Sequence, residues 1–467
     1  MQLLRRYIGT RDFYKNLLAV AIPIVVQNGI TNFINLLDNV MVGRIGTEQM
    51  SGVSIVNQLL FIFYLCIFGA LSGVGLFSAQ FYGKQDHEGI RHTFRFKMML
   101  SLALCGVAIL IYLFAADPLI RMYLHEGSET GDLELTYRYA KEYLGVSLWG
   151  LLPYTLAQVY SSTLREIGKT LPPMYAGLAG ITLNLALNYV LIYGAFGVPA
   201  LGVRGAAIAT VIARITECVA ILIWTHAHTQ KCQFIKGAYR SLYVPMPLVR
   251  NILRTGTPLL LNETVWAAGQ AMLLQCYSVR GIASVSAMNI SSTVFNTFSV
   301  IYLAVGTSVS ILIGHRLGAA DNEGAMEDSQ KMIAFAGMMG LLAGILIALC
   351  APFFPYLYNT TDEVRSMATA LILVIGIYSP VHGVLNSSYF TLRSGGKTVL
   401  TFFFDSGYVW GVNIPVVLLL THFSSLSTAM IFLICHGTEL IKCIIGTVLV
   451  KKGVWLHDIT QSQPQKG

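Results

Sequence analysis

Two stretches of this 467-residue chain, residues 23–89 and 258–324, align with one another without a gap at an offset of 235 residues. A second repeat, Leu-Arg-x-x-Gly-Lys-Thr, begins at residues 164 and 392, at an offset of 228. The matched pairs in the long repeat include Pro23 with Pro258, Gly46 with Gly281, Gly83 with Gly318, and Asp86 with Asp321. The chain is therefore predicted to contain two homologous halves, an organisation typical of secondary transporters that bind substrate between the halves.

The composition favours a membrane protein, because hydrophobic residues make up 55% of the chain and charged residues only 12%. A soluble domain carries about 25% charged residues. Apolar runs of about 20 residues, enough to cross hydrocarbon about 30 Å thick, recur along the sequence. We predict an all-α integral membrane protein with twelve transmembrane helices in two pseudo-symmetric six-helix lobes. The predicted spans are residues 16–40, 53–80, 95–116, 139–163, 172–193, 203–226, 252–278, 288–314, 331–351, 367–391, 399–420 and 427–450.

The predicted domains follow from these spans and from one long polar connection in the middle of the chain. Residues 1–226 form the N-terminal lobe, 227–250 the cytoplasmic linker, 251–452 the C-terminal lobe, and 453–467 the C-terminal tail.

Basic residues are distributed unequally between the two predicted membrane faces. The net charge is +8, and 22 of the 31 Lys and Arg residues fall in the termini and alternate connections on one face, whereas seven fall on the other. Cytoplasmic loops carry such an excess of Lys and Arg. We therefore predict a multi-pass protein of the cytoplasmic membrane with both termini in the cytoplasm. The basic balance indicates orientation rather than nucleic-acid binding.

The two Gly-Lys-Thr triplets, at Gly168 and Gly396, do not form phosphate-binding loops. The Walker A pattern needs a glycine five residues earlier, where Thr163 and Thr391 stand, and a strand before the loop. We therefore expect turns at these positions and transport driven by an ion gradient. We predict no resident cofactor and no enzymatic activity. The eight cysteines include no Cys-x-x-Cys pair and are interpreted as packing residues.

Acidic residues within the predicted spans are the strongest indication of a functional site, because a carboxylate in hydrocarbon costs several kcal/mol unless it is paired, hydrated or protonated. Asp38 lies in the first span, and Glu263 lies in the seventh, shortly after Pro258. The alternative for each is a hydrogen-bonded acid that fixes helix packing. Weaker candidates are Asp405, Glu439, and Glu217, which we expect to pair with Arg214 three residues earlier.

Neutral polar residues could complete a site for a cation. Asn184 and Asn188 lie at i and i+4 on one face of the fifth span, and Thr210 lies in the sixth. Their oxygens suit sodium, whereas a single carboxylate suits a proton. His382 in the tenth span could titrate near neutral pH. Helix–helix packing remains an alternative explanation for each of these residues.

Several segments together resemble the multidrug and toxic compound extrusion (MATE) family of transporters, with features of both its NorM-like and DinF-like branches. The resemblance covers residues 14–450. It is carried by DNVMVGRIG at 38–46, AQFYG at 79–83, LREIGKTLPP at 164–173, NLALN at 184–188, GVRGAAIAT at 202–210, and residues 258–263. The family implies two six-helix lobes around a V-shaped cavity, and export of organic cations in exchange for sodium or protons.

The resemblance also implies roles for individual residues. Asp38 resembles the essential first-helix acid of the N-terminal lobe. Asn184 and Thr210 resemble the partners that coordinate sodium with this acid in one branch, so sodium at Asp38, Asn184 and Thr210 is an alternative to a proton. Glu263 resembles the cation-site acid of the C-terminal lobe in NorM-like proteins.

Two positions depart from the family pattern. Asn188 stands where the sodium-binding branch often has an aspartate, and His382 stands where NorM-like proteins have an aspartate in the tenth helix. Each departure removes a negative charge from a proposed site. We therefore expect protons to drive transport, with sodium also acting in the N-terminal lobe as the alternative.

The sequence predicts a monomeric antiporter for small lipophilic cations. A lipid-linked saccharide flippase of the same superfamily is the first alternative, but it needs a strongly cationic cavity, and only Arg214 and Lys442 lie within spans away from their ends. A lipid-modifying membrane enzyme is the alternative from another class, and it would need clustered catalytic side chains at one membrane face. A channel would more naturally be a symmetric oligomer.

Overall fold

The computed structural model describes residues 7–124, 132–358 and 360–461, and within these ranges the regular structure is helical, with no β-strand. The α-helices are α1 (Arg11–Gly43), α2 (Thr47–Gly83), α3 (His87–Phe114), α4 (Ala116–Arg121), α5 (Leu133–Ser147), α6 (Leu151–Glu166), α7 (Leu171–Tyr193), α8 (Gly202–Ala227), α9 (Met246–Ser278), α10 (Ile282–Gly318), α11 (Asn322–Cys350), α12 (Asp362–Ser394), α13 (Thr398–Phe402), α14 (Ile414–Phe423) and α15 (Thr428–Lys451). The first six residues and the last six, which belong to the predicted N-terminal lobe and C-terminal tail, lie outside the described ranges.

Ten helical segments of the described chain are long and apolar enough to cross a membrane. The prediction of an all-helical membrane protein is therefore confirmed. The predicted spans at 139–163 and 252–278 are not among these ten. The first is divided between α5 and α6 by a 3₁₀ turn at Leu148–Gly150. The second coincides with α9, which is less apolar because it carries Asn262, Glu263 and Gln270.

The sequence repeat is also a repeat of helix boundaries. The starts of α1 and α9, at Arg11 and Met246, are 235 residues apart, and so are the starts of α2 and α10, at Thr47 and Ile282. Equal lengths accompany the equal spacing, since α1 and α9 each have 33 residues and α2 and α10 each have 37. The two halves are therefore built from corresponding helices.

Turn geometry repeats as well. Asp86 and Asp321 cap α3 and α11, and each accepts a hydrogen bond from the backbone N–H three residues later at 2.9 Å. Such caps satisfy backbone donors that the first helical turn leaves free. The preceding residues, Gln85 and Ala320, have positive φ values of 60° and 58°. The Gly-Lys-Thr turns also match, because Gly168 and Gly396 have φ values of 73° and 74°. Both triplets therefore lie at turns between helices, as predicted.

The chain divides into two compact units. The N-terminal unit comprises Val26–Ser78 and Asp86–Val249, and the C-terminal unit comprises Met1–Val25, Ala79–Gln85 and Arg250–Gly467. Two helices therefore continue from one unit into the other, α1 at Val25 and α2 at Ser78. The lobe boundaries at residues 226 and 251 remain predictions.

The N-terminal unit holds its polar connection against α3. Arg95 is buried and donates hydrogen bonds to the carbonyl oxygens of Gly237, Ala238 and Tyr243 at 2.8–3.2 Å. Phe94 packs on Phe234 with a ring separation of 5.2 Å. The predicted linker is therefore an ordered part of this unit in the structure.

Candidate functional site

The N-terminal unit brings Asp38 together with the two asparagines of α7. Asn188 Nδ2 donates to Asp38 Oδ1 at 2.5 Å, and Asn188 and Asn184 lie one turn apart on the same helix face. Their side chains are buried, with exposures of 1% and 6%. Buried amides need hydrogen-bond partners, and the carboxylate of α1 supplies one. The predicted i, i+4 face of α7 therefore meets the predicted acid.

The Asn184 amide has two usable orientations. In one orientation its nitrogen lies 3.2 and 3.1 Å from the two Asp38 oxygens, and its oxygen accepts from the backbone N–H of Thr210 at 3.3 Å. In the other orientation the nitrogen donates to Thr210 Oγ1 at 3.3 Å, and the amide oxygen faces the carboxylate. The first orientation suits an ionised carboxylate, and the second suits a protonated acid or a bound cation, because each needs an acceptor.

Thr210 is held by its own helix. Its hydroxyl donates to the carbonyl oxygen of Ala206, one turn earlier in α8, at 3.1 Å. The oxygen therefore stays available as an acceptor beside Asn184. The structure brings all four predicted residues of this lobe, Asp38, Asn184, Asn188 and Thr210, into one cluster.

The acids of the C-terminal unit have a different environment. Glu263 is half-buried on α9 and lies within electrostatic range of Arg393 and Asp405. Asp405 forms an ion pair with Lys442 at 2.9 Å, and its other oxygen accepts from Asn262 Nδ2 at 3.1 Å. The carboxylate of Asp405 therefore already has a cation and an amide as partners.

A wide helical segment positions Asp405. Residues Phe403–Gly407 and Val409–Asn413 form two π-helical segments between α13 and α14. Ser406, within the first segment, donates from Oγ to Asn262 Oδ1 at 2.7 Å, and its backbone N–H reaches the same oxygen at 3.3 Å. π-Helical turns occur frequently at functional sites. The first π-helical segment positions Asp405 and Ser406 so that both contact the side-chain amide of Asn262.

His382 has an acidic partner in place of the family's aspartate. Its Nδ1 lies 3.3 Å from Glu439 Oε2 on α15, and its ring packs near Phe295 and His436. The side chains of His382 and Glu439 are 13% and 19% exposed. The pair is a close contact rather than a hydrogen bond, because Glu439 Oε2 has no hydrogen-bond partner among the described residues. The described contacts pair His382 with Glu439 and give Glu263 no hydrogen bond or ion pair.

The structure also shows pairs that sequence reasoning anticipated only in part. Arg214 and Glu217 pair at 3.2 Å, as predicted. Lys442 was recognised as a cation within a span, and an unpaired lysine there requires an acid, so its presence could have pointed to Asp405. Lys97, near the start of the predicted span 95–116, is fully buried in α3 and pairs with Glu166.

The donor atoms at Asp38 restrict which ions this cluster could bind. Within the described residues, no group of three or more His, Cys, Asp or Glu side chains could hold a metal ion. The Asp38 cluster offers one carboxylate with amide and hydroxyl oxygens, a set that suits a proton or sodium.

The MatE family model matches residues 23–190 and 259–419, which fall in both halves of the chain. Curated relatives include multidrug resistance protein MdtK of Pectobacterium atrosepticum, 25% identical over 416 residues and covering 86% of each chain. The probable multidrug resistance protein NorM of Halalkalibacterium halodurans is 27% identical over 424 residues and covers 88% of each chain.

Solved structures share the fold. A MOP superfamily transporter from Pyrococcus furiosus, whose binding pocket is described as having reverse polarity, superimposes with a TM-score of 0.85 at 19% identity, covering 97% of this chain and 98% of its own. A mutant of the Vibrio cholerae MATE transporter VcmN gives a TM-score of 0.82 at 16% identity, covering 96% and 98%. The helical halves and the family match define a multi-pass membrane transporter. This chain belongs to the MATE family.

Proposed function

We propose that this chain is a secondary multidrug exporter that moves small lipophilic organic cations out of the cell in exchange for protons. It acts as a monomer in the cytoplasmic membrane, with both termini in the cytoplasm and no resident cofactor. The names of the relatives, multidrug resistance proteins MdtK and NorM, support the substrate class. The excess of basic residues on one face supports the orientation.

The observation that carries this proposal is that Asp38 has neutral hydrogen-bond partners, while Arg214 lies within electrostatic range but forms no ion pair with it among the described residues. Asn188 and Asn184 approach its oxygens with amide groups, and the described contacts include no ion pair to it. A charge without a fixed counter-charge in hydrocarbon is costly. The site therefore favours exchange between states in which a mobile cation or a proton neutralises the carboxylate.

The amides make a proton the better coupling ion. Asn188 directs its nitrogen at Asp38, while its buried oxygen has no hydrogen-bond partner within the described ranges. Sodium needs several oxygens directed inward, so binding it requires the Asn188 amide to turn in addition to the Asn184 orientation that directs its oxygen at Asp38. A protonated carboxyl group needs only one acceptor, which rotation of a single amide supplies. Sodium at Asp38, Asn184 and Thr210 remains the alternative.

The expected cycle couples the charge of Asp38 to substrate. The ionised carboxylate favours retention of a cationic drug, and protonation from outside removes that attraction and releases the drug. Pro23 lies within α1, which carries Asp38, and it interrupts the hydrogen-bond ladder of the helix. The change in charge is therefore expected to bend α1 at this proline. Glu263 binds cation or substrate in the other unit.

The competing functions lack support from the contacts. A flippase for lipid-linked saccharides needs free cationic side chains for pyrophosphate, whereas Arg214 and Lys442 are each paired with an acid. A lipid-modifying enzyme needs a cluster of catalytic groups at one membrane face. Neither function uses a carboxylate surrounded by amides.

Transport by purified protein in liposomes tests the proposal. Efflux of a fluorescent organic cation is measured with a pH gradient in sodium-free buffer and, separately, with a sodium gradient at equal pH. We expect efflux under the pH gradient alone, and its loss in Asp38→Asn. Asp362→Asn, which removes a 94% exposed acid, is the matched control and should transport normally. Efflux that needs sodium and ignores the pH gradient would contradict proton coupling.

A further inference from the structure

The last described residues form a strap, defined as Lys452–Gln461, that folds back onto the C-terminal unit after α15. Trp455 anchors it. The indole is fully buried, and its Nε1 donates to the carbonyl oxygen of Val450 at 3.0 Å. A buried tryptophan with a satisfied N–H fixes a segment firmly. The strap is therefore a packed element of this unit.

Gln80, near the end of α2, connects the strap to two other segments. Its side chain is fully buried, and its nitrogen donates to the carbonyl oxygens of Ser394 at 3.0 Å and His457 at 3.2 Å. Its oxygen accepts from the backbone N–H of Ile459 at 2.8 Å. One amide thus joins the end of α2, the end of α12 and the strap.

An ion pair lies beside this amide. Lys84 Nζ is 2.9 Å from Asp458 Oδ2, with side-chain exposures of 29% and 13%. Asp458 also accepts from the backbone and hydroxyl of Thr460. Burial alone would raise the pKa of Asp458, but hydrogen bonds from Thr460 and Lys84 outweigh it and lower the pKa below its usual range. The carboxylate is therefore held ionised against the lysine.

The turn after α12 is shaped to receive the strap. A Cβ at Gly395 would overlap the carbonyl oxygen of Trp455, and a Cβ at Gly396 would overlap the side chain of Ile459. Gly396 also needs its positive φ of 74°. The strap therefore packs directly against the two glycines of the second Leu-Arg-x-x-Gly-Lys-Thr motif.

The ends of α2 and α10 cross by a symmetric contact within the C-terminal unit. A Cβ at Gly83 would overlap the carbonyl oxygen of His315, and a Cβ at Gly318 would overlap that of Gln80. The positions correspond in the repeat, because 80 and 315, and 83 and 318, differ by 235. The strap breaks this symmetry, since it hydrogen-bonds Gln80. Small residues at such a crossing let backbones approach closely.

Segment Ala79–Gln85 belongs to the C-terminal unit, while residues 47–78 of the same helix belong to the N-terminal unit. We propose that the strap is a latch that holds this segment on the C-terminal unit and releases it once in each transport cycle. The latch rests on the proposed transport function. Gln80 and Lys84 are the residues of α2 that the latch holds, and they contact residues 457–459 of the strap.

A reducible cross-link across the ion pair tests the latch. Lys84→Cys and Asp458→Cys are combined in a protein from which Cys66, Cys350 and Cys443, the exposed and half-exposed native cysteines, have been removed. A short bis-methanethiosulfonate linker joins the pair. We expect linked protein in liposomes to lose at least about nine-tenths of its efflux rate, and reduction of the linker to restore it.

The matched control joins two residues of the same unit that do not touch the strap. Arg316 and Asp328 form an ion pair at 2.9 Å, and the same linker between Arg316→Cys and Asp328→Cys should leave efflux unchanged. Linked Lys84→Cys/Asp458→Cys protein that transports as fast as after reduction would show that transport does not require the strap to open, which overturns the proposal. Failure of the reagent to join this pair would also overturn the proposal.

Hydrogen exchange separates failure of the latch from failure of the transport function, because it needs no substrate. Asp458→Asn keeps an acceptor for Thr460 but loses the charge that holds Lys84. We expect faster exchange at the backbone amides of residues 79–85 and 453–461 than in the parent, by several-fold, and no change there in Asp362→Asn. Equal exchange in Asp458→Asn and the parent would refute the latch even if transport is normal.

Discussion

The Asp38 cluster and the Asp405 cluster lie in corresponding halves of one repeat, yet they provide different kinds of partner for the carboxylate. Asp38 contacts neutral amides, whereas Asp405 is paired with Lys442 and also bonded by Asn262. The first arrangement leaves a charge for a mobile ion, and the second neutralises the charge internally. The two halves have therefore diverged, with an acid bonded by neutral amides in one half and a fixed ion pair in the other.

The same comparison explains why the acids of the repeat are not equivalent. Asp38 aligns with Leu273, and Glu263 aligns with Asn28, at the offset of 235. In the C-terminal unit, His382 and Glu439 add a second pair at 3.3 Å. Only Glu263 among the acids of that cluster has no hydrogen bond or ion pair within the described residues, so it is the acid there that most resembles Asp38.

The largest expected effect comes from Asp38→Asn, which keeps the shape of the side chain and removes its charge. A hydrogen bond to a charged group is worth about 1.5–3 kcal/mol, equivalent to roughly ten- to hundredfold. Because the charge also drives the exchange, we expect efflux in liposomes to fall by about the upper figure. Membrane abundance equal to the parent is the control. Resistance that persists in a drug-sensitised host would place the coupling site elsewhere.

Lys442→Gln tests whether Asp405 needs a fixed partner. Removing one member of a buried ion pair costs about 3–5 kcal/mol, and the 23% exposure of Asp405 places the expected loss at or below about 3 kcal/mol. We expect a lower thermal-unfolding midpoint, largely recovered in the double variant Lys442→Gln/Asp405→Asn. The contrast with Asp38 fails if the single variant is as stable as the parent.

Glu263→Gln tests the remaining acid of the C-terminal unit. Since the structure provides no fixed partner for it within the described residues, we expect a role in binding cation or substrate and a fall in efflux of about tenfold, as for loss of a charged contact. Thr264→Ala, at the neighbouring exposed position, is the control. Unchanged efflux in Glu263→Gln would mean that Glu263 contributes only to helix packing.

His382→Asp should have the smallest effect on rate and instead change ion preference. It returns a carboxylate to the position beside Glu439, and two neighbouring carboxylates favour a bound cation over two separate charges. We expect stimulation by sodium at constant pH in the variant and none in the parent. His436→Asp, beside the same ring, is a positional control. An unaltered ion profile in His382→Asp would argue against a latent sodium site.

Sequence reasoning could predict the members of the Asp38 cluster, whereas their contact between α1, α7 and α8 was implied only by the family resemblance. Intramembrane acids are rare, and the i, i+4 spacing of Asn184 and Asn188 fixes a common face. The pairing of Asp405 with Lys442 was not predictable in this way. The two residues belong to different helices, and the π-helical segments shift the phase of the helix between Thr398 and Phe423.

The strap illustrates a second limit. The sequence indicates a tail after the last span, but the burial of Trp455 depends on the turn at Gly395 and Gly396, which lies 59 residues earlier at the closer glycine. A contact between residues so far apart in the sequence produces no periodic pattern of residues. The sequence likewise predicted only that the linker is a polar connection. The carbonyl groups that accept hydrogen bonds from Arg95 cannot be identified from composition.

The wide turns at Phe403–Gly407 and Val409–Asn413 affect any transfer of residue roles between the halves. A π turn places one more residue between donor and acceptor than an α turn does. A fixed numerical offset between the two halves that is correct before Phe403 therefore assigns residues after Phe403 to the wrong helix face. The corresponding helix α7 is α-helical throughout. Chimeras that exchange α7 with residues 398–423 should therefore be designed by facing direction rather than by alignment column, or the polar side chains will enter lipid.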